Sequence, residues 1–186
     1  MEKSWRRILQ LLKDVMADRN LDGAFRFKFF GTDSSWQQGE RRFLVEIAKD
    51  YCLAEFVEEN PPRISYNRAI ELVKASAGLV VLGVDDPAYM PSKLFTYSLS
   101  GKPLLVCLHH LSQACSYFEQ NPEVGHLIRF GDPSESAFKR DREVFRRYLR
   151  EVLERRTFDR RYSLQPYLSP AAAERHAELF HSIVAK

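Results

Sequence analysis

The spacing of apolar residues along the chain predicts which segments are helices and which are strands. Trp5, Ile8 and Leu12 recur with the 3.6-residue period of a helix, so the chain opens with an amphipathic helix. The run "GLVVLGV" at 78–84 is apolar almost throughout, which is typical of a strand covered on both faces. The same criteria predict further strands at 25–30, 54–58, 103–108 and 127–130, and further helices at 44–51, 66–73, 91–100, 111–120 and 131–155.

Strands that alternate with helices indicate a parallel sheet with right-handed crossovers. We therefore expect an α/β fold, a doubly wound, Rossmann-like and mostly parallel sheet with helices on both faces. Residues 1–165 would form this domain, and 166–186, which begins near the N-cap pair Ser169-Pro170, a closing helix. Because ligands of such sheets bind beyond the carboxyl ends of the strands, we examine the loops at 31–36, 60–65, 85–93 and 109–113.

The composition indicates which class of protein this is and in which redox environment it folds. Apolar residues make up 45% of the 186 and charged residues 28%, the balance of a globular domain. The sequence shows no stretch resembling a membrane span or a secretion signal. Its three cysteines, Cys52, Cys107 and Cys115, lack paired spacing, which favours reduced thiols and a cytoplasmic location over a disulfide framework.

Basic residues are concentrated in one segment, 139–161, although the net charge of +3 does not suggest a nucleic-acid binder. Such a segment could contact an anionic membrane surface, which would make the protein peripheral at a membrane. The alternative is a solvated helix face, because acidic residues interleave at helical spacing. The solvated face is the favoured interpretation.

The stretch "MPSKLFTYSLSGKPLLVC" at 90–107 carries the clearest chemistry. It follows the most apolar strand, so it should lie at the ligand edge of the sheet. Pro91 fits a first helical turn, where free N–H groups and the positive helix end attract an anion. Ser92 adds a hydroxyl donor and Lys93 a full charge. These groups together predict a diphosphate site.

This stretch resembles the "P-S-K-L-F-E-Y-L-A-x-G-K-P-V-L" segment in the C-terminal nucleotide-sugar-binding domain of GT-B glycosyltransferases, of the group 1 or family 4-like type. Three flanking segments resemble the same domain: "SYNRAIELVKASAGLVVLGV", "NPEVGHLIRFGDP" and the terminal "YLSPAAAERHAELFHSIV". The similarity covers most of the chain from Phe25 onward. Its motif specifies many more residue positions than a motif made of glycines alone, and it is therefore more specific.

The resemblance implies a domain that binds the nucleotide diphosphate of a sugar donor without a metal or other cofactor. Ser92 and Lys93 match phosphate-facing positions, the loop from Pro61 to Ile64 falls where the base is held, and Gly31 falls at a glycine-rich turn beside the donor. The candidate donor-binding residues are Pro91, Ser92, Lys93, Thr96, Asp86, Gly31, Pro62 and Ile64.

Two positions depart from the family pattern. The family usually has a ribose-binding glutamate five residues before the motif glycine, and counting back from Gly101 gives Thr96. A threonine offers one hydrogen bond but not two carboxylate oxygens, which predicts weaker ribose binding. Ala88 stands where some relatives carry a second acid, and Asp85 or Asp86 is the candidate substitute.

The family domain begins with a strand and a glycine-containing loop before its first helix, and it follows an acceptor-binding domain. We therefore expect this chain to be a fragment that lacks the first strand and needs the N-terminal acceptor-binding domain as its partner. It would be a glycosyltransferase, hexosyltransferase-like and inactive in isolation, with unknown catalytic residues. The alternatives are a non-catalytic binding or assembly module descended from such an enzyme, and an unrelated flavodoxin-like domain.

Other chemistry receives less support from the sequence. His109, His110, Cys115 and His126 show no metal-ligand spacing, so a metal site is disfavoured. Cys115 lacks an orienting third group that would make it a nucleophile with His110. Trp36 lies in a polar loop, where capping of the sheet is favoured over stacking on a ligand.

Overall fold

The structure is a computed structural model that describes residues 1–17, 25–32, 42–160 and six positions beyond them (164, 170, 171, 173, 174 and 177). Its helices are α1 Glu2–Ala17, α2 Phe43–Lys49, α3 Tyr66–Ala75, α4 Leu94–Leu99, α5 Ala114–Gln120 and α6 Glu135–Leu153. Its strands are β1 Phe27–Phe30, β2 Val57–Asn60, β3 Leu79–Leu82, β4 Leu104–His109 and β5 His126–Phe130. A short 3-10 turn, Ala54–Phe56, precedes β2.

The described strands form two parallel sheets, β1-β2 and β3-β4-β5. Phe27 pairs with Val57, Leu79 with Leu104, and Leu105 with His126. The α/β class and the parallel pairing predicted from the sequence are confirmed. The single continuous sheet is not observed, because no hydrogen-bonded pairing between described residues joins β1 to β3.

Helix α1 packs across both sheets. Its Trp5, Ile8 and Leu12 are completely buried and belong to one core with residues of β1, β2, β4 and β5. The Trp5 ring meets the rings of Phe27 and Phe29 edge-on, with centroids 5.5 and 5.0 Å apart. The apolar period that predicts α1 therefore marks the surface that holds the two sheets together.

A second core covers the opposite face of β3-β4-β5. Leu79, Val81, Leu104 and Val106 alternate with the residues that face α1, and they pack against α4 and α5. Helices thus lie on both faces of this sheet, as predicted. Helix α3, which connects the two sheets, contains no buried residue.

Several predicted elements begin two to four residues later than the sequence pattern indicates, among them β1 at Phe27, α5 at Ala114 and α6 at Glu135. Helix α4 starts at Leu94 instead of Pro91, because Pro91 opens a turn in which its carbonyl accepts the Leu94 N–H at 3.2 Å. The strand expected at 54–58 starts at Val57, after the 3-10 turn. In contrast, α3 begins as predicted, with the Ser65 hydroxyl accepting the Arg68 N–H at 3.3 Å.

Arg160 fixes the segment after α6 to the rest of the domain. It is 4% exposed and donates hydrogen bonds to the carbonyls of Glu123, at 2.9 Å, and Lys102, at 2.7 Å. Beside it, the Phe158 N–H donates to the Gly101 carbonyl at 2.8 Å. Gly101 has a φ of +71°, and an added Cβ would lie 2.8 Å from the Phe158 carbonyl oxygen, so glycine is required there. The closing helix expected at 166–186 lies largely outside the described residues.

Candidate functional site

The carboxyl ends of the strands meet the first turn of α1. The Ser4 hydroxyl donates to the carbonyl of Gly83, just after β3, at 2.7 Å, while the Trp5 ring contacts Phe29 near the end of β1. Lys3 reaches Asp85 with a nitrogen–oxygen distance of 2.5 Å. The ends of β1 and β3 therefore lie on the same side of the molecule, where the sequence places the ligand edge.

The loop after β3 holds Ser92, Lys93 and Thr96 at the surface. Pro91 and Leu94 are buried and anchor the turn, whereas Ser92, Lys93 and Thr96 are exposed. Asp86 is exposed too, and its Oδ1 accepts the Ala88 N–H at 2.8 Å, which shapes the loop as an Asx turn. The buried residues orient the turn and leave the polar side chains accessible.

This turn also carries unused hydrogen-bond donors. In the part of the chain that the structure describes, the backbone N–H groups of Ser92 and Lys93 have no acceptor, and no carboxylate pairs with the Lys93 ammonium. These two N–H groups, the Ser92 hydroxyl and the Lys93 ammonium can together bind an oxyanion such as a phosphate group.

The second group of candidates lies at the end of β1 and β2. Gly31 has a φ of +67°, its N–H donates to the Asn60 carbonyl at 3.0 Å, and an added Cβ would lie 3.7 Å from the Arg63 Cα. Pro62 is exposed and Ile64 is half-buried in the same loop. The structure thus brings Gly31 next to the predicted base-binding loop.

The structure does not connect all the candidates directly. Gly31, Pro62 and Ile64 form one group beside β1-β2, and Asp86 with the Ser92–Thr96 turn forms another beside β3. Among the described residues no hydrogen bond joins the two groups. What the two groups share is that both lie at the carboxyl ends of the strands. Trp36 lies outside the described residues.

Sequence reasoning missed two cations at this edge. Lys3 pairs with Asp85, and the hydrogen bond from Lys3 is the main reason that the pKa of this carboxyl is lowered. Nothing in the sequence near Lys3 signals this, since only the packing of α1 brings it to the strand ends. Arg63 is exposed beside Gly31. The available signal in the sequence was a basic residue directly after the Pro61-Pro62 pair that follows β2.

A histidine pair lies at the ends of β4 and β5. The rings of His109 and His110 have centroids 4.6 Å apart, and His109 Nε2 is 3.9 Å from an Asp85 oxygen. Asp132 faces the same loops, and hydrogen bonding from Ser134 lowers the pKa of its carboxyl. Within the described residues, no three His, Cys, Asp or Glu side chains converge as metal ligands would.

The buried cysteines are poor nucleophiles. Burial raises the pKa of the Cys107 thiol well above its ordinary value, and burial likewise raises the pKa of Cys115. A thiol reacts as its thiolate, and the raised pKa values reduce the thiolate fraction of both side chains near neutral pH. Cys52 is exposed, and no disulfide joins the three.

Much of the basic segment at 139–161 is involved in contacts within the domain. Arg142 pairs with Asp14 at 2.5 Å, Arg146 with Glu143 at 3.1 Å, and Arg156 with Glu154 at 2.6 Å. Arg160 is buried. These ion pairs agree with the interpretation of this segment as a solvated helix face on which acidic and basic residues interleave. Contact with an anionic membrane surface stays a prediction. No helix in the described ranges is both long and apolar enough to span a bilayer.

Comparisons with known proteins identify no relative: no family model, curated protein or solved structure matches this chain significantly.

Proposed function

We propose that this chain is the donor-binding half of a GT-B glycosyltransferase and binds a nucleotide-diphospho-sugar whose sugar passes to an acceptor. The observation that carries the proposal is the exposed turn at 91–96, with its unused donors and the unpaired Lys93 at the carboxyl edge of parallel strands. The resemblance of its sequence to the diphosphate-binding segment of these enzymes supports the same role. The family also supplies the expected partner, an N-terminal acceptor-binding domain.

In this proposal the chain's own groups neutralise the leaving diphosphate. Lys93 contributes a full charge, and Ser92 contributes its hydroxyl and N–H, so charge that develops on the phosphates meets preoriented donors. Gly31 and the loop with Pro62 and Ile64 border the nucleoside. Such electrostatic stabilisation needs no metal ion.

The direct test is a thermal-shift panel of uridine, guanosine and adenosine diphosphates and their sugars. Stabilisation by one base at a concentration well below millimolar supports the proposal, because a ligand that binds only the folded state raises its melting temperature. Equal and weak effects of all three, matched by inorganic pyrophosphate, would contradict selective donor binding.

Lys93→Ala is expected to weaken binding of the preferred nucleoside diphosphate by about 1–3 kcal/mol, the contribution of a charge-assisted hydrogen bond. The melting temperature should hardly change, because Lys93 is exposed. Calorimetry measures the affinity. The matched control is Lys74→Ala, which removes an exposed lysine near the end of α3. Equal affinities of the Lys93 and Lys74 variants would remove Lys93 from the site.

Thr96→Glu is expected to tighten nucleoside diphosphate binding about tenfold and to leave pyrophosphate binding unimproved. A glutamate can accept bonds from two ribose hydroxyls, which pyrophosphate lacks. Thr96 is exposed, so the carboxylate stays hydrated and the melting temperature should be preserved. Calorimetry with both ligands checks this. Unchanged or weaker nucleotide affinity in a stably folded variant would show that position 96 does not face the ribose.

One structural observation favours the second candidate, a non-catalytic assembly module. Among the described residues, the outer edges of both sheets have no hydrogen-bonded neighbour strand, and such edges pair readily with other chains. Absence of stabilisation by any nucleotide or nucleotide sugar at millimolar concentration, in a well-folded sample, favours this candidate over the enzyme.

A further inference from the structure

The C-terminal end of α6 presents arginines that no carboxylate of the described chain neutralises. Arg147 and Arg150 are exposed and lie three residues apart, so they are neighbours on the outer side of the helix. Arg155, just after the helix, is exposed as well. Among the described residues, none of these three side chains has an ion-pair or hydrogen-bond partner. We call them, together with the exposed Leu153, the α6 basic patch.

The helix dipole does not explain both arginines of the helix. A cation in the last turn complements the partial negative charge of a helix C-terminus, and Arg150 is in that position. The effect falls off within one turn, so it does not account for Arg147. The acidic residues nearby are paired with other arginines, Glu143 with Arg146 at 3.1 Å and Glu154 with Arg156 at 2.6 Å.

The backbone beneath the patch is held firmly by packing. Tyr148 and Leu149, which lie between the two arginines along the chain, are 3% and 1% exposed. The end of the helix is closed by the Arg156 N–H, which donates to the Glu151 carbonyl at 3.0 Å. A partner that binds here therefore meets a preformed surface and loses little free energy to ordering the backbone.

The patch lies away from the candidate donor site. Close to it, the Tyr148 hydroxyl donates to the carbonyl of Leu79, the first residue of β3, at 3.3 Å. His126, the first residue of β5, has its Nε2 2.6 Å from a Glu151 oxygen. The C-terminal half of α6 thus lies at the amino ends of the strands, whereas the turn at 91–96 lies at their carboxyl ends. A partner on the patch leaves that turn accessible.

We propose that the α6 basic patch is a docking site for an acidic helical segment of a partner polypeptide. Two carboxylates three or four residues apart on a helix have the same spacing as Arg147 and Arg150. A guanidinium group binds a carboxylate through two parallel N–H donors, which makes arginine well suited to such pairs. An apolar side chain of the segment would cover Leu153, which is 41% exposed.

The distribution of charge favours a polypeptide over a membrane or a nucleic acid. Glu143 and Glu154 lie on either side of the two arginines along the chain, and their side chains are exposed. A continuous anionic surface would repel both, whereas a polypeptide can place its carboxylates opposite the arginines alone. Among the described residues of α6, Leu153 is the only large apolar side chain that is exposed, which is too little to anchor the helix in a bilayer.

The test measures binding of the full chain to a labelled peptide by fluorescence anisotropy. The peptide is alanine-based and helical, with two glutamates four residues apart and a leucine three residues after the second. The control peptide has glutamines in place of the glutamates. Arg147→Gln with Arg150→Gln is the test variant. The matched control is Lys13→Gln with Lys74→Gln, which removes the same charge from exposed residues of α1 and α3.

We expect the double arginine variant to bind the acidic peptide about tenfold more weakly, and the double lysine variant to change the affinity less than about twofold. Binding of the unmodified chain should weaken as salt is raised, because the pairs are near the surface. The melting temperature should stay the same in both variants, since all four side chains are exposed.

No binding of the acidic peptide, equal binding of the glutamine peptide, or equal losses in the two double variants would overturn the proposal. Vesicles containing phosphatidylserine and a single-stranded oligonucleotide are the alternative probes. Arginine-dependent binding to either that is tighter than binding to the acidic peptide would exclude the polypeptide and assign the patch to a membrane or a nucleic acid. None of these results depends on nucleotide binding, so the proposal holds or fails separately from the proposed enzyme function.

Discussion

Trp5→Ala is expected to lower the free energy of unfolding by about 3–5 kcal/mol, the cost of removing a large buried aromatic side chain. Trp5 is 0% exposed, and its ring packs against Phe27 and Phe29 of β1. Its indole N–H donates to the Leu44 carbonyl at 2.9 Å, so the change also removes a buried hydrogen bond. A loss of this size is a large part of the stability of a typical domain.

Urea unfolding followed by circular dichroism measures this effect. Trp5→Phe is the control, because it retains most of the aromatic volume and loses the indole N–H; its loss should be clearly smaller. Since Trp5 lies where α1 holds β1-β2 onto the remaining fold, we expect hydrogen exchange in β1 and β2 to accelerate more than in β4. A loss below about 1 kcal/mol for the alanine variant would contradict the role of Trp5 as the contact between the sheets.

Arg7→Ala is expected to cost about 3–5 kcal/mol of stability, whereas Arg6→Ala should cost less than about 1 kcal/mol. Arg7 donates to Asp141 at 2.8 Å, and Asp141 is completely buried. Removal of Arg7 leaves this carboxylate with the Arg129 N–H, at 3.3 Å, and the half-exposed Arg140. We expect a value near the lower bound, because Arg140 compensates part of the charge.

Arg6 is the matched control, since it is the adjacent residue on the same helix and likewise pairs with carboxylates, Glu2 at 2.8 Å and Asp50 at 3.0 Å. Those pairs are solvent-exposed, so salt screens them. Denaturant unfolding at low and high salt distinguishes the two sites: the small effect of Arg6→Ala should shrink in high salt, and that of Arg7→Ala should persist. Equal losses for both variants would show that the Asp141 pair contributes no more than a surface ion pair.

Much of the candidate site could be predicted from sequence because its parts are local. The Pro-Ser-Lys turn, the glycine after β1 and the proline pair after β2 each follow an apolar strand, and in a parallel sheet those positions share one edge. Helix α4 shows the limit of this reasoning. Its first turn is set by how Pro91 and Leu94 are buried, so the helix begins at Leu94 and the exposed turn before it carries the free N–H groups.

The sequence by itself determined the type and order of the elements, because helix and strand periods, caps and proline or glycine turns act over a few residues. The tertiary structure alone decided which strands pair and which stay open, and that α1 joins two sheets instead of covering one. It also decided the partners of Arg160, whose carbonyl acceptors lie 37, 58 and 62 positions away along the chain. Such contacts depend on shape and burial between distant segments, for which a local pattern carries no signal.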